Sequence, residues 1–423
     1  MFQIKKSNLL LLYCFLICSL FLGLFLGENS SGGARHDHNY LIEFIEDFSK
    51  NFFDGLENFL NNPGSIIHSP FFYIIVSVYN KFFGNLIEFK IFYIFLSSVI
   101  PLIFYKILKK KFIGNECYYF LFSLIIFLSP YFRSNAIWGL GDNLSLIFFA
   151  LFLLQLNKIL KISEINRSYY YAAIFIILAS YVRYYYCIYY FIIIYFLIIN
   201  NISKKDIFKI LLFSFLISIP AIVYFIVIFK NYNFLNTLGN FGDLNYINVF
   251  FNICIIILFY LIIFLINSFK DFYNYYKKNY KNFFVIISFS FLILTIDFFS
   301  FELINVKNNL GGGIIVKIFN ELGINHYFLI FPFTLSLLII DYIFIGNRKY
   351  NYFILLIVVL SLPLKITFQK YLDPLFLLVF FGLIISERLN FIMNKHLINL
   401  KHVYIYFVLF LLSSNVYYSI YKI

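Results

Sequence analysis

One carboxylate stands between two imidazoles in the first polar stretch of the chain. Residues 27–40 read GENSSGGARHDHNY, and Asp37 is flanked there by His36 and His38. A carboxylate in such a setting can take a proton from a hydroxyl group, return it, or ligate a cation. The alternative role is structural, because an aspartate directly before a helix can cap its first turn. Since only 13% of the residues are charged, the sequence favours Asp37 as a catalytic candidate and the two histidines as substrate-binding candidates.

Cations recur where apolar runs end. Arg133, Arg183 and Lys370 each follow or interrupt such a run, and His68 precedes Ser69-Pro70 at the start of another. Each cation alone is typical of a side chain that reaches up to lipid headgroups. A charge held at a membrane boundary can also bind an anion. The four side chains together are therefore candidates for binding a phosphate group.

Aromatic and acidic residues accompany these cations. The segment SPYFRSNAIWGLGDN places Trp138 and Asp142 near Arg133, and ITFQKYLDP places Tyr371 directly after Lys370. A lone Trp at a membrane boundary is typical of an interface anchor, so Trp138 is interpreted as structural. Asp142 and Tyr371 remain substrate-binding candidates.

Several common chemistries are not indicated by the sequence. The five Cys lack the spacing of metal ligands or of a disulfide framework. The triple glycine at 311–313 lacks the GxxxxGK[ST] arrangement that cradles phosphates. Whether a divalent metal joins Asp37, His36 and His38 stays open at this point.

The composition predicts that these residues are positioned by a membrane-embedded fold. Hydrophobic residues make up 62% of the chain, whereas a soluble domain is about half apolar and about a quarter charged. The apolar runs show no alternation of the kind that marks membrane strands, so only helices can satisfy their backbone groups in lipid. We therefore predict an all-α, polytopic transmembrane helical bundle in contact with the lipid bilayer.

About thirteen segments approach the roughly 20 apolar residues that a spanning helix needs. They lie at residues 8–27, 91–107, 116–132, 143–157, 168–182, 184–199, 207–229, 247–268, 283–300, 325–345, 351–367, 374–387 and 402–421. The first resembles a signal peptide in its flanks but lacks a convincing cleavage site, so it is interpreted as a retained helix.

The distribution of positive charge orients these spans. Basic residues are dense in alternate short loops, such as 106–111, 204–209 and 270–281, as expected of loops that stay on the cytoplasmic side. This pattern also explains the net charge of +13 without a nucleic-acid partner. The N-terminus is predicted inside, and all the candidate residues fall in loops on the non-cytoplasmic face.

The first outer loop, residues 28–69, is the longest polar stretch in this threading. After Asn39 the apolar residues recur at the spacing of an amphipathic helix on the membrane surface, at Leu41, Ile42, Phe44, Ile45 and Phe48. The next apolar segment, 70–84, is only about 22 Å long as a helix at 1.5 Å per residue. It is predicted to be interfacial or partly inserted, because a full crossing would place every basic loop outside.

The order of these features resembles the GT-C superfamily of membrane glycosyltransferases, which use polyprenyl-phosphate sugars. An early Asp in the first outer loop is matched by Asp37, and the His-Pro-Pro stretch that opens the next helix is matched by His68-Ser69-Pro70, with Ser69 in place of the first proline. Arg183-Tyr184 and Lys370-Tyr371 are similar to later family features. The likeness covers residues 8–230 well and the rest loosely, which suggests a catalytic module at 1–230 and completing helices at 231–423.

The resemblance implies an enzyme that moves a sugar from a polyprenyl-phosphate donor to a glycan, lipid or protein acceptor of the cell envelope. Asp37 would be the catalytic residue, and Arg183, Lys370, His68 and Arg133 would bind the donor phosphate. His36, His38, Asp142 and Tyr371 would contact substrate. Some relatives use a divalent metal. The site would face the periplasm or exterior from a bacterial inner membrane.

Two other classes share part of this pattern. Enzymes of the O-antigen polymerase or ligase type also have many spans and essential arginines, but their large outer loop usually falls late in the chain. Transporters place ionisable groups mid-membrane on broken helices, whereas the main interior acids here, Asp297 and Asp341, lie near span ends. The sequence favours the transferase over both.

Overall fold

The structure is a computed structural model that describes residues 6–61, 69–159, 167–231, 246–300, 313–362, 367–394 and 398–421. Every regular element within these ranges is a helix, so the predicted all-α class is confirmed. The chain divides into two compact units. Unit 1 comprises residues 1–111, 115–238 and 407–423, and unit 2 comprises residues 112–114 and 239–406.

Unit 1 holds the first eleven helices and most of the last one. They are α1 (Lys6–Leu26), α2 (Ala34–Lys50), α3 (Phe52–Asn61), α4 (Phe71–Phe83), α5 (Leu86–Lys111), α6 (Glu116–Ser123), α7 (Pro130–Trp138), α8 (Gly141–Ile159), α9 (Arg167–Val182), α10 (Tyr190–Ile199) and α11 (Lys204–Asn231). Tighter 3₁₀ turns extend α6 over Leu124–Leu128 and precede α10 over Tyr184–Tyr189.

Unit 2 holds the helices that follow. They are α12 (Tyr246–Leu265), α13 (Phe269–Lys278), α14 (Tyr280–Ser300), α15 (Gly313–Glu321), α16 (Ile330–Ile343), α17 (Arg348–Leu360), α18 (Leu375–Gly382) and α19 (Glu387–Asn394). The last helix, α20 (Leu400–Tyr421), belongs to unit 1 from residue 407 onward.

Seven helices in the described ranges are long and apolar enough to cross a membrane, or up to nine if each of two bent pairs is one span. The chain is therefore a multi-pass helical membrane protein. The predicted count of about thirteen is not confirmed, because several predicted spans form shorter helices. Among these are the 16-residue α9 and the 13-residue α17.

One break explains why the span predicted at 116–132 does not match a helix. The segments Glu116–Leu128 and Pro130–Trp138 meet at 68°. Pro130 has no amide hydrogen to continue the preceding helix and is suited to the first turn of a new one. Ser129 caps that turn, since its hydroxyl accepts a 3.0 Å hydrogen bond from the amide of Phe132. Helix α7 ends at Gly139, whose φ of +66° is left-handed.

Buried polar contacts fix α5 against α8 in unit 1. The Asn143 side chain donates to the hydroxyl of Ser97 at 3.1 Å and to the carbonyl of Phe132 at 3.1 Å. The Tyr93 hydroxyl donates to the carbonyl of Leu140 and accepts from the amide of Leu144 at 3.0 Å. In lipid no water can replace these partners, so the contacts hold the start of α8 in place.

The first polar loop folds into helices whose apolar faces pack on α4. Helix α2 buries Leu41, Phe44, Ile45 and Phe48, which lie on one face at the spacing that the sequence predicts. The ring of Phe44 meets the ring of Tyr73 edge-on, with centroids 5.7 Å apart. The predicted amphipathic helix is thus present, and α4 is a short apolar helix of 13 residues.

The C-terminal end of α20 packs on the loop that joins α1 to α2. The Ser414 hydroxyl donates a 2.6 Å hydrogen bond to the carbonyl of Ser30, 384 residues earlier in the chain. Gly32 permits a close approach, because a Cβ there would lie 2.3 Å from the ring of Tyr418. Its φ of +84° also requires glycine. These contacts place the ends of α1 and α20 at the same end of unit 1.

Candidate functional site

Helix α2 begins earlier than the sequence predicts. The sequence places Asp37 directly before a helix that starts after Asn39, but the helix starts at Ala34 and Gly33 occupies the N-cap position. The left-handed conformation of Gly32 is the physical reason, because it bends the chain two residues before the first helical residue, Ala34. Asp37 lies in the first turn, where a carboxylate is favoured by the helix dipole.

The three residues of the His-Asp-His sequence point in different directions. Successive residues of an α-helix are about 100° apart around its axis. His36 and Asp37 are exposed, whereas His38 is only 3% exposed. The two histidines therefore cannot act on one ligand together with Asp37. Within the described ranges, no group of three or more His, Cys, Asp or Glu side chains is placed to hold a metal ion.

Asp37 instead shares its surroundings with an ion pair from α8 and α9. Tyr73, buried in α4, lies within electrostatic range of Asp37, Asp142 and Arg183. Tyr40, one turn after Asp37 on α2, also acts on the hydroxyl of Tyr73. The structure thus brings the predicted base and two other predicted site residues around one tyrosine.

The pair itself is bidentate. Arg183 donates from Nε to Oδ1 of Asp142 at 2.8 Å and from Nη2 to Oδ2 at 2.7 Å. Asp142 lies in the first turn of α8, and Arg183 directly follows the last residue of α9. The helix dipole favours the negative Asp142 at the N-terminal end of α8 and the positive Arg183 at the C-terminal end of α9. The side chains of Asp142 and Arg183 are 28% and 20% exposed, so the pair is partly accessible from outside the protein.

Arg133 is held away from this group by a partner that the sequence analysis did not identify. Its guanidinium donates to both carboxylate oxygens of Glu28, at 2.8 and 2.6 Å, and to the hydroxyl of Ser19 at 2.9 Å. Arg133 is 6% exposed. Arg133 thus belongs to a buried ion pair with Glu28, and its phosphate-binding role stays a prediction. The sequence feature that could have pointed to Glu28 is its position as the first acidic residue after the first apolar run.

Trp138 links this ion pair to α2. Its indole nitrogen donates a 2.7 Å hydrogen bond to the carbonyl of Glu28, and its ring lies 5.7 Å from the ring of His38. Lys90 and Arg35 approach the ring at 4.6 and 5.9 Å, within the range of cation–π attraction. Trp138 thus joins α2, α5 and α7 at the end of unit 1 that carries Asp37.

A polar cavity of about 640 Å³ opens beside the same helix. It is lined by His36 and Asn39 of α2 and by Asn415 and Tyr418 of α20, with Arg35 at its rim. Amide, hydroxyl and aromatic groups of this kind recognise polyhydroxylated ligands through hydrogen bonds and ring contacts. Of the predicted site residues within the described ranges, His36 is the one that lines this cavity.

His68 lies outside the described residues. Lys370 and Tyr371 belong to unit 2, in a 3₁₀ turn over Gln369–Tyr371. The Lys370 ammonium is exposed and lies 5.6 Å from the ring centroids of both Tyr371 and Phe368.

No family model, curated protein or solved structure matches this chain. The resemblance to the GT-C superfamily thus stays a prediction. Function is inferred from the chemistry of the site in unit 1.

His38 provides a pH-dependent test of this packing. Burial and, to a smaller extent, the charge of Lys90 lower the pKa of His38 from 6.5 to about 4, against the opposing effect of a hydrogen bond to the Trp138 backbone. The folded protein therefore keeps His38 neutral, whereas the unfolded chain binds a proton below about pH 6.5. Stability from this group is complete above pH 6.5 and falls as the pH decreases toward 4.

We expect His38→Gln to unfold with a weaker pH dependence than the wild type. A shift of this size corresponds to on the order of 3 kcal/mol between pH 7 and pH 4, at 1.36 kcal/mol per pKa unit. Thermal unfolding of the detergent-purified proteins at pH 7, 5.5 and 4 measures the difference. Parallel profiles for the two proteins would show that His38 is charged in the folded state.

Proposed function

We propose that this chain is a GT-C-like membrane glycosyltransferase that moves a sugar from a polyprenyl-phosphate donor to an envelope acceptor. The observation that carries the proposal is that α4 packs against α2, which bears the exposed Asp37, and against α9, which ends beside the Asp142–Arg183 ion pair. A carboxylate and a guanidinium on neighbouring helices supply the two charges that such a transfer needs. The proposed site lies on the non-cytoplasmic face of a bacterial inner membrane.

Asp37 is the proposed general base. Its carboxylate takes the proton of the acceptor hydroxyl while the oxygen forms a bond to the anomeric carbon of the sugar. Asp37 suits this role because it is exposed on a helix that is anchored by its buried face. Displacement from the side opposite the phosphate would invert the anomeric centre.

Arg183 is the proposed partner of the leaving group. The bond between the anomeric carbon and the phosphate oxygen breaks, and its electron pair leaves with the polyprenyl phosphate. A guanidinium has five N–H donors, and two of those on Arg183 are directed at Asp142. Asp142 thereby orients the cation, and stabilisation of the developing phosphate charge lowers the barrier.

The polar cavity next to α2 is the proposed acceptor site. Its volume of about 640 Å³ falls within the usual range for small-ligand sites, about 300–1,000 Å³. His36 contributes to it as a substrate-binding residue. Lys370, Tyr371 and His68 are kept in the proposal as donor or substrate contacts on the strength of the sequence resemblance alone.

A polymerase or ligase of the O-antigen type and a transporter remain the competing functions. A transporter would place unpaired ionisable groups in the middle of spanning helices. Asp341, in contrast, lies two residues before the last residue of α16 and pairs with Arg348 at 3.1 Å. That placement supports an enzyme over a transporter.

We expect the purified protein in proteoliposomes to transfer label from a radioactive polyprenyl-phosphate sugar to envelope material, but not from a nucleotide sugar. The physical reason is that a membrane cleft admits the lipid carrier from the side, whereas nucleotide sugars stay cytoplasmic. Scintillation counting of the material left after lipid extraction measures the transfer. Uptake of solute into sealed vesicles without any transfer would favour the transporter instead.

A further inference from the structure

Unit 2 contains an apolar groove of about 660 Å³ between α12, α14, α16 and α17. Its walls are almost entirely aliphatic and aromatic, and they include Phe250, Phe289 and Leu356. Wall residues stay open to the surroundings, since Val285 is 66% exposed and Leu356 52% exposed. Because water is not held well by apolar walls, hydrocarbon is the filling that suits this groove in a membrane.

The groove has a defined direction. It follows α14 from Val285 to Ile293 and α17 from Tyr352 to Leu360, a length of about 12 Å at 1.5 Å per residue. Both helices begin close to the Val285 and Tyr352 end. The N-terminal turns of α14 and α17 therefore lie at the end of the groove marked by Val285 and Tyr352.

Exposed lysines surround this end. Lys281 lies one helical turn before Val285, and Lys349 lies three residues before Tyr352. Lys277 and Lys278 add two more exposed cations at the end of α13. We refer to these four side chains as the lysine rim.

The acids near the rim do not cancel its charge. Asp341 is 5% exposed and is paired with Arg348, and the hydroxyl of Tyr352 donates to it at 3.4 Å. Asp271 stands beside Lys270 in the first turn of α13. Exposed Glu387, which lies against Gly346, is followed directly by Arg388. The rim therefore contributes excess positive charge at one end of a hydrocarbon-lined groove.

We propose that the groove binds one acyl chain of an anionic phospholipid, with the lipid phosphate at the lysine rim. An amphiphile with a negative head and an apolar tail matches both halves of the site. Basic pockets between membrane helices attract anionic headgroups in this way. The proposal concerns unit 2 alone and does not depend on the transferase activity.

Native mass spectrometry of the detergent-purified protein tests the proposal. Phosphatidylglycerol, phosphatidylcholine and a polyprenyl phosphate are each titrated separately. We expect one phosphatidylglycerol to bind at least about tenfold more tightly than phosphatidylcholine, because several lysines near a phosphate each strengthen binding. Equal affinity for the two phospholipids overturns the proposal, as does tighter binding of the polyprenyl phosphate.

Charge-removing variants locate the headgroup. Lys277→Gln/Lys281→Gln/Lys349→Gln is expected to lose the preference for phosphatidylglycerol. All three side chains are exposed, so folding should be unaffected, and the thermal transition verifies this. The matched control is Lys204→Gln/Lys205→Gln, two exposed lysines of α11, which should keep the preference. An unchanged preference in the rim variant overturns the proposal.

A groove-filling variant locates the acyl chain. Leu356→Trp places a larger ring in the groove and is expected to weaken phosphatidylglycerol binding about tenfold. Phe215→Trp, at a position in α11 that is 56% exposed, is the control for adding an indole to a lipid-facing surface. Equal binding by both variants and the wild type would place the acyl chain elsewhere and overturn this assignment.

Discussion

Replacing Asp37 with Asn is expected to lower the rate of sugar transfer about 10²- to 10⁴-fold, the usual contribution of a general base. The amide has nearly the shape of the carboxylate but cannot accept the acceptor proton. Asp37 is exposed in the first turn of α2, so the loss of charge should cost the fold little. The rate is measured with the radioactive polyprenyl-phosphate donor at saturating acceptor.

Glu46→Gln is the matched control for this variant. Glu46 is another exposed carboxylate of α2, about two and a half turns further along, and has no role in the proposed transfer. It should retain full activity at the same level of membrane insertion. Full activity in the Asp37→Asn protein would remove Asp37 from the mechanism and with it the proposed base.

Glu28→Gln is expected to destabilise the protein by about 3–5 kcal/mol, the usual cost of removing one partner from a buried ion pair. Arg133 would keep its charge at 6% exposure while losing the carboxylate that accepts two of its hydrogen bonds. Thermal unfolding in detergent measures the loss. The wild type and variant are compared at one pH and one ionic strength.

An exposed ion pair provides the contrast for this experiment. Asp206 and Lys209 form a 2.8 Å contact at 36% and 53% side-chain exposure, and water and salt screen such exposed pairs so that they add little to stability. Asp206→Asn should therefore leave the unfolding temperature almost unchanged. The double variant Glu28→Gln/Arg133→Gln should recover part of the loss, because it leaves no unpaired buried charge. An equal effect of Glu28→Gln and Asp206→Asn would show that Arg133 is hydrated.

Much of the helical layout was predictable because local patterns determine it. The apolar spacing of α2 places Leu41, Phe44 and Phe48 on its buried face, as the 3.6-residue period requires. Long apolar runs likewise identified α1, α5 and α12. Breaks within helices were harder to predict. Ser129-Pro130, for example, divides a run that its apolar composition alone predicts to be one continuous helix.

The site was predictable in its parts but not in its pairings. Asp37, Asp142 and Arg183 were identified from residue type and position at helix ends. Their grouping around Tyr73 depends on tertiary packing between segments that are distant in sequence. The same reason explains why the sequence did not show that Arg133 pairs with Glu28, 105 residues earlier. One sequence alone does not show which of its residues are in contact when they are so far apart along the chain.

The hydrogen bond from Ser414 to the Ser30 carbonyl has a consequence for biosynthesis. Because 384 residues separate the two partners, the loop before α2 emerges from the ribosome long before α20 does. Until α20 is inserted, the cavity beside His36 lacks the wall formed by Asn415 and Tyr418. A nascent chain can therefore present His36 and Asn39 before the opposite wall exists, so this cavity is completed only when the last helix is in place.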